Sequence, residues 1–182
     1  MALKSTIFRA DLSISDMARN YYHDHSVTIA RHPSENDERM MVRILVFALH
    51  ADSVLAFGNK IGNDDDEPDL WKKDLTGAID LWIDVGQPDE KQVRRACGRS
   101  RQVFVYCYSG HSAEVWWGQA RKGLEGAKNL TVISLPAAAA SSLAAMAQRT
   151  MKLQFTINDG QVWVSDGRET VHIDLKQFMR SS

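Results

Sequence analysis

The sequence predicts an α/β fold, elaborated in an α+β manner, in which a mixed central sheet is flanked by helices. Two observations predict it. Apolar runs at 77–86, 102–108 and 130–135 alternate with helical segments, the pattern of a partly parallel sheet covered on both faces. Both ends of the chain instead alternate apolar and polar residues with period two, which adds an N-terminal hairpin and a C-terminal β-meander.

Taken in order, Thr6, Phe8, Ala10 and Leu12 alternate with polar neighbours, as do Val27 and Ile29. Residues 4–13 and 20–30 therefore read as paired strands, with the turn at 14–19. Arg31-His32-Pro33-Ser34 ends the second strand, and Ser34 is the expected N-cap of a helix over 35–50, with Glu35, Asp37 and Glu38 near its positive end. Met41, Ile44, Leu45, Ala48 and Leu49 form its apolar stripe, and Glu38 points toward the core side. A short strand is expected at 53–57, followed by a polar run to Asp69 whose acidic centre cannot be a regular buried element.

The strand at 77–86 should be central, and Gln87-Pro88-Asp89-Glu90 opens a helix to about Cys97. A buried strand at 102–108 leads to a helix over 110–122, with Ser109 or Ser112 as its cap. The strand at 130–135 leads to an alanine-rich helix over 136–148. The last strands, 151–157, 161–165 and 170–175, are joined by Asn158-Asp-Gly160 and Asp166-Gly167, both hairpin signals. They pair with the N-terminal hairpin or pack beside it.

At 182 residues the chain fits one domain, 1–182, and an apolar content of 44% suffices for its core. The formal net charge of −1 excludes a hold on nucleic acid or membrane by bulk electrostatics, so any such contact must use a local patch. Charges near the N-terminus lie too close together for a signal peptide, and no apolar run approaches the ~20 residues that cross a bilayer. Cys97 and Cys107 read as buried thiols. A cytoplasmic protein with no membrane partner is expected.

Alternation along 77–86 sets Ala78, Asp80, Trp82 and Asp84 on one face of the strand. Carboxylates on an interior strand are costly unless paired, protonated or metal-bound. Asp80 and Asp84 are roughly 13 Å apart at the strand rise, too far to share one ion. A partner ligand for Asp84 must come from the acidic run that ends at Asp69, or from Glu38. The plainer expectation has Asp84 accepting hydrogen bonds from the turn that follows, with Asp80 at a solvated edge.

Lys91, Arg94 and Arg95 share one face of the next helix, where they either meet phosphates or form an ordinary solvated surface. His23 and His25 share a strand face, but two ligands do not close a zinc site. Ser109-Gly110-His111-Ser112 lacks the nucleophile-elbow pattern. Of the adjacent Trp116 and Trp117, one should be core and the other part of an interface.

The segments Ala30-Arg-His-Pro-Ser-Glu-Asn-Asp-Glu-Arg-Met-Met41, Asp66-Glu-Pro-Asp-Leu-Trp71, Ile79-Asp-Leu-Trp-Ile-Asp-Val-Gly-Gln-Pro-Asp-Glu90, Trp116-Trp117 and Arg149-Thr-Met-Lys-Leu-Gln154 resemble the bacterial YaeQ family, over nearly the whole chain. The resemblance implies a restriction-endonuclease-like core of PD-(D/E)xK type: a helix, three strands, a helix and a fourth strand, with extra β-structure around it. The predicted elements follow that order, with the middle strand expected in or just after 66–72.

By this likeness Pro68-Asp69 stands for the Pro-Asp pair, Asp84 for the second acid and Glu38 for the acid on the first helix. Asp80 has no role in the scheme. The lysine expected two residues after the second acid is absent, since position 86 is glycine, and Lys91 is its substitute. The implied activity is cleavage of nucleic acid with Mg²⁺ or Mn²⁺ held by Asp69 and Asp84, and with Lys91, Arg94 and Arg95 against the nucleic acid. The alternative is a non-catalytic nucleic-acid- or protein-binding factor on a degenerate core of the same kind.

Overall fold

A computed structural model describes residues 4–59 and 66–182. In chain order its elements begin with β1 (Thr6–Asp16), β2 (Tyr21–Arg31), α1 (Asp37–His50), β3 (Ala56–Phe57), β4 (Leu70–Lys73) and β5 (Ile79–Val85). They continue with α2 (Glu90–Arg99), β6 (Ser100–Cys107), α3 (His111–Leu124), β7 (Leu130–Ser134) and α4 (Ala137–Ala144). The chain ends with β8 (Thr150–Asn158), β9 (Gln161–Ser165), β10 (Thr170–Asp174) and β11 (Lys176–Met179). Contacts divide it into two compact units: the segment ending at Leu49 with Pro136–Leu175, and His50–Leu135 with Lys176–Ser182.

The first unit holds a five-stranded sheet in the order β10-β9-β8-β1-β2. β1 and β2 pair without interruption from Thr6↔Arg31 to Asp16↔Tyr21, so β1 runs three residues past its predicted end and β2 is displaced by one. The turn falls at 17–20 and not at 14–19, because Ile14 and Asp16 continue the buried face of Phe8, Ala10 and Leu12. The chain reverses where Asn20 adopts φ 52°, a conformation Asn tolerates better than other non-glycine residues. Asp16 fixes the turn, accepting the Arg19 amide at 3.1 Å and its Nε at 2.7 Å.

The C-terminal meander pairs directly with the hairpin: β8 runs parallel to β1 from Arg9↔Thr150 to Asp16↔Ile157. Asp159 (φ 47°) and Gly160 (φ 77°) make the β8–β9 turn that Asp-Gly predicts. The inner face of the sheet buries Leu12, Ile29, Leu153, Phe155, Val162 and Ile173.

α1 starts later than predicted, and Ser34 is not its cap. Ser34 lies in a turn closed by the Glu35 amide on the His32 carbonyl (2.8 Å), with Pro33 suited to the turn's fixed φ. Asn36 caps instead, its Oδ1 accepting the Arg39 amide at 2.9 Å. From Met40 to Ala48 the helix is buried all round.

The second unit holds a six-stranded sheet in the order β11-β7-β6-β5-β4-β3. β5, β6 and β7 are parallel, and their crossovers are α2 and α3. Both helices cover one face, where Val93, Ala96, Trp117 and Leu124 share a core with Trp82, Val103 and Val105. β4 supplies a strand within the stretch, in or just after 66–72, where one is expected. The strand expected at 53–57 shrinks to Ala56–Phe57, paired with Trp71 and Leu70.

Asp89 begins α2 with a capping box, its carboxylate on the Lys91 amide and the Gln92 side chain on its own amide. α3 is not capped by serine: its N-cap is Gly110, at φ 59° and ψ −119°, where a side chain would be strained. Ser112 instead accepts from the Gln87 side chain at 3.1 Å. Trp117 is core, whereas half-buried Trp116 donates its indole N–H to the Pro88 carbonyl at 2.9 Å. β11 was not predicted; it closes the sheet by pairing antiparallel with β7.

Candidate functional site

The acids cluster where β4 begins and β5 ends. Asp84 is 3% exposed and Asp69 2% exposed. Asp69 brackets its partner: its amide donates to the Ile83 carbonyl (3.0 Å), and its Oδ2 accepts the Val85 amide (2.8 Å). Asp84 Oδ2 accepts the indole N–H of Trp82 at 2.9 Å, two residues back on the same face. Each carboxylate accepts a buried N–H that helps to orient it, as outer-shell partners orient metal ligands. The Asp69 position rests on a close backbone approach: Gly58 N–H donates to the Asp69 carbonyl at 2.9 Å.

The remaining predicted residues divide. Asp80 is not at a solvated edge: it is half-buried on interior strand β5 and is paired with exposed Arg101 at 2.7 Å. Arg94 is held by Glu90 and by the Gly123 carbonyl (3.3 Å), which ties α2 to α3. Lys91 and Arg95 are exposed on the same helix. Gly86 has φ 110°, with open space where a Cβ would stand. Glu38 is half-buried on the first turn of α1, in the first unit, whereas Asp69, Asp84 and Lys91 are in the second. Asp64 and Asp65 of the acidic run lie outside the described residues. Among the described residues, no three His, Cys, Asp or Glu side chains are grouped to hold one metal ion.

Two residues missed from sequence belong to this site. Trp82 orients Asp84, and the alternation that put both on one face was the signal. The Arg99 guanidinium lies 5.3 Å from the Trp82 ring centroid, with Asp66 of the acidic run 3.8 Å from it. That contact joins the end of α2 to mid-strand β5, and no sequence spacing announces it.

The cysteines are not chemical candidates. Burial pushes both thiols up to about 11, so neither is a thiolate at neutral pH.

Beside the site, Lys72 on β4 pairs with Asp52 at 2.7 Å. Partial burial opposes ionisation of Asp52, but Lys72 and the amides of Val54 and Leu55 outweigh it and hold the carboxyl below its ordinary value. A depressed carboxyl stabilises the fold above its unfolded value of about 3.9, and that contribution is lost as pH falls through the folded value. Urea midpoints should therefore drop on acidification below about pH 4. Lys72→Met should make that acid-dependent drop smaller.

A mixed α/β protein with a buried, oriented carboxylate pair at the ends of two neighbouring strands is the class these features define. A family model described as YaeQ protein matches residues 1–175. The proteins named "Uncharacterized protein YaeQ" of Escherichia coli (strain K12) and Salmonella typhi are each 39% identical over 182 residues, covering 100% of both chains. The crystal structure of YaeQ protein from Xanthomonas axonopodis pv. citri superposes with a TM-score of 0.93 at 47% identity, covering 98% of this chain and 99% of that one. That of YaeQ protein from Pseudomonas syringae gives 0.92 at 33% identity, covering 97% of each. The chain belongs to the YaeQ family. Among the described residues, no helix is long and apolar enough to cross a membrane.

Proposed function

We propose that the protein is a metal-dependent phosphodiesterase acting on nucleic acid, on a core of PD-(D/E)xK type. The observation that carries this is that Asp69 and Asp84 are both buried at the neighbouring ends of β4 and β5, with the Val85 amide and the Trp82 indole helping to orient them. Two hard carboxylates suit Mg²⁺ or Mn²⁺, which bind through one or two carboxylates and leave the other positions to water and phosphate. A divalent ion there supplies Lewis acidity toward a phosphoryl oxygen and a more acidic bound water. Lys91 is the exposed cation assigned to a phosphate backbone, with exposed Arg95 on the same helix, while Arg94 ties α2 to α3. Glu38 is assigned an assisting role on the family resemblance.

A second reading, a non-catalytic nucleic-acid- or protein-binding factor, is favoured by Gly86, which stands where the in-strand lysine belongs.

Asparagine variants separate the readings, because an amide oxygen still accepts from the Val85 or Trp82 N–H while the charge is lost. Asp69→Asn and Asp84→Asn should fold, lose the heat of Mn²⁺ binding and lose Mn²⁺-dependent cleavage of single- and double-stranded DNA and RNA. Trp82→Phe should weaken metal affinity by about 10–100-fold. Cleavage that is absent from the wild type, or unchanged by either Asn variant, would rule out the phosphodiesterase and favour the binding factor.

A further inference from the structure

Among the described residues, β2 is the outer strand of its five-stranded sheet and pairs with β1 alone, without a bulge. The phase of its free edge follows from β1. Arg9 N–H donates to the Arg149 carbonyl (2.8 Å) and Met17 N–H to the Ile157 carbonyl (2.9 Å). Odd residues of β1 therefore bond toward β8 and even residues toward β2. The register Phe8↔Ile29, Leu12↔His25 and Ile14↔His23 then turns the odd residues of β2 toward β1. The amides and carbonyls of Tyr22, Asp24, Ser26, Thr28 and Ala30 are left on the open edge.

Ala30 bears out this phase, since its carbonyl accepts Nη2 of Arg43 at 3.1 Å. That contact closes the edge at one end, and the turn before Tyr21 closes it at the other. Between them Tyr22, Asp24, Ser26 and Thr28 are exposed. The strand is 11 residues long and contains no proline or lysine, whereas β10 on the opposite edge has 5. Among its open residues Asp24 is the one charge, and the strand has neither a bulge nor a proline to keep a long edge from pairing.

We propose that this edge pairs with the same edge of a second copy of the chain, about a twofold axis at His25, joining two five-stranded sheets. Two copies of one strand related by a twofold axis pair antiparallel, and the contact is its own complement. Side-chain chemistry selects the register. With the axis at His25, Tyr22 meets the partner's Thr28 and Asp24 meets the partner's Ser26. Every open residue exchanges both of its backbone bonds, and the two free segments end together. An axis at Asp24 would set two like carboxylates face to face, which is destabilising. An axis at Ser26 would set Tyr22 against the partner's Ala30, whose carbonyl the guanidinium already holds.

Sedimentation velocity on the full chain tests the pairing. The wild type should dimerise with rising concentration. Asp24→Pro should be monomeric with an unchanged circular dichroism spectrum, because the N–H it removes is one β1 does not use. Thr28→Lys, which keeps its amide, should weaken the dimer as edge lysines do. His25→Cys should form a disulfide-linked dimer on mild oxidation and His23→Cys should not, because only residue 25 lies opposite itself. A wild type that is monomeric at every concentration overturns the proposal, as does a dimer that survives both edge substitutions. Equal cross-linking of the two cysteine variants overturns the register, and a monomer that captures an extended peptide assigns the edge to a strand of another protein.

Discussion

Replacing Arg43 with alanine should lower stability by about 3–5 kcal/mol, read as a shift in the urea midpoint at neutral pH. Arg43 and Glu35 side chains are 7% and 6% exposed, respectively. The guanidinium engages Glu35 through both oxygens, Nε to Oε1 at 2.7 Å and Nη2 to Oε2 at 2.5 Å, and Nη2 also reaches the Ala30 carbonyl. Alanine would leave a buried carboxylate with only Arg39, at 3.1 Å and more exposed, and would leave the carbonyl unpaired. The loss comes chiefly from stranding the partner charge, so the double variant Glu35→Met, Arg43→Met should be less destabilised than Arg43→Ala. If the double variant were the worse of the two, the clamp would be stabilising in its own right and not merely costly to break. Because Arg43 also closes one end of the β2 edge, Arg43→Ala additionally frees the Ala30 carbonyl.

That clamp shows where sequence patterns stop informing. Glu38 drew notice by its position relative to the apolar stripe, yet it is only half-buried, and the buried acid is Glu35. The difference comes from the helix start: with Asn36 as cap, Glu35 falls in the preceding turn and folds back onto Arg43. Period-two alternation placed β1, β2 and the meander strands, because a half-buried sheet writes one face into the sequence. It also set Trp82 and Asp84 on one face, though not the bond between them. It could not show that Asp69 reaches the Val85 amide, since that bond joins strands whose register is set by the turn at 74–78. β11 was missed because Lys-Gln-Phe-Met has no alternation, and its partner β7 lies far away in sequence. The separation of Asp80 from Asp84 was legible from strand rise alone, and the structure gives Asp80 an exposed cation.

Gly58→Ala should destabilise the second unit by about 2–4 kcal/mol and disturb the candidate site without touching either carboxylate. A Cβ at this position would stand 2.0 Å from the Pro68 carbonyl oxygen and 3.1 Å from its carbon. The clash is with backbone, so no rotamer change relieves it, and either β3 or the Pro68-Asp69 peptide must move. Movement of β3 breaks the bond from the Gly58 amide to the Asp69 carbonyl. Movement of Pro68-Asp69 draws the carboxylate off the Val85 amide. The second route exposes the Val85 amide, so its hydrogen-exchange protection should fall.

Gly98 provides the contrast in the same unit. It is exposed in α2, and a Cβ there meets nothing within 4 Å. Gly98→Ala should therefore stabilise by about 0.5–1 kcal/mol through helix propensity and leave Val85 exchange unchanged. If Gly58→Ala lowered stability while Val85 kept its protection, the close approach at Gly58 would hold β3 alone. Asp69 would then owe its place to the β4–β5 ladder instead.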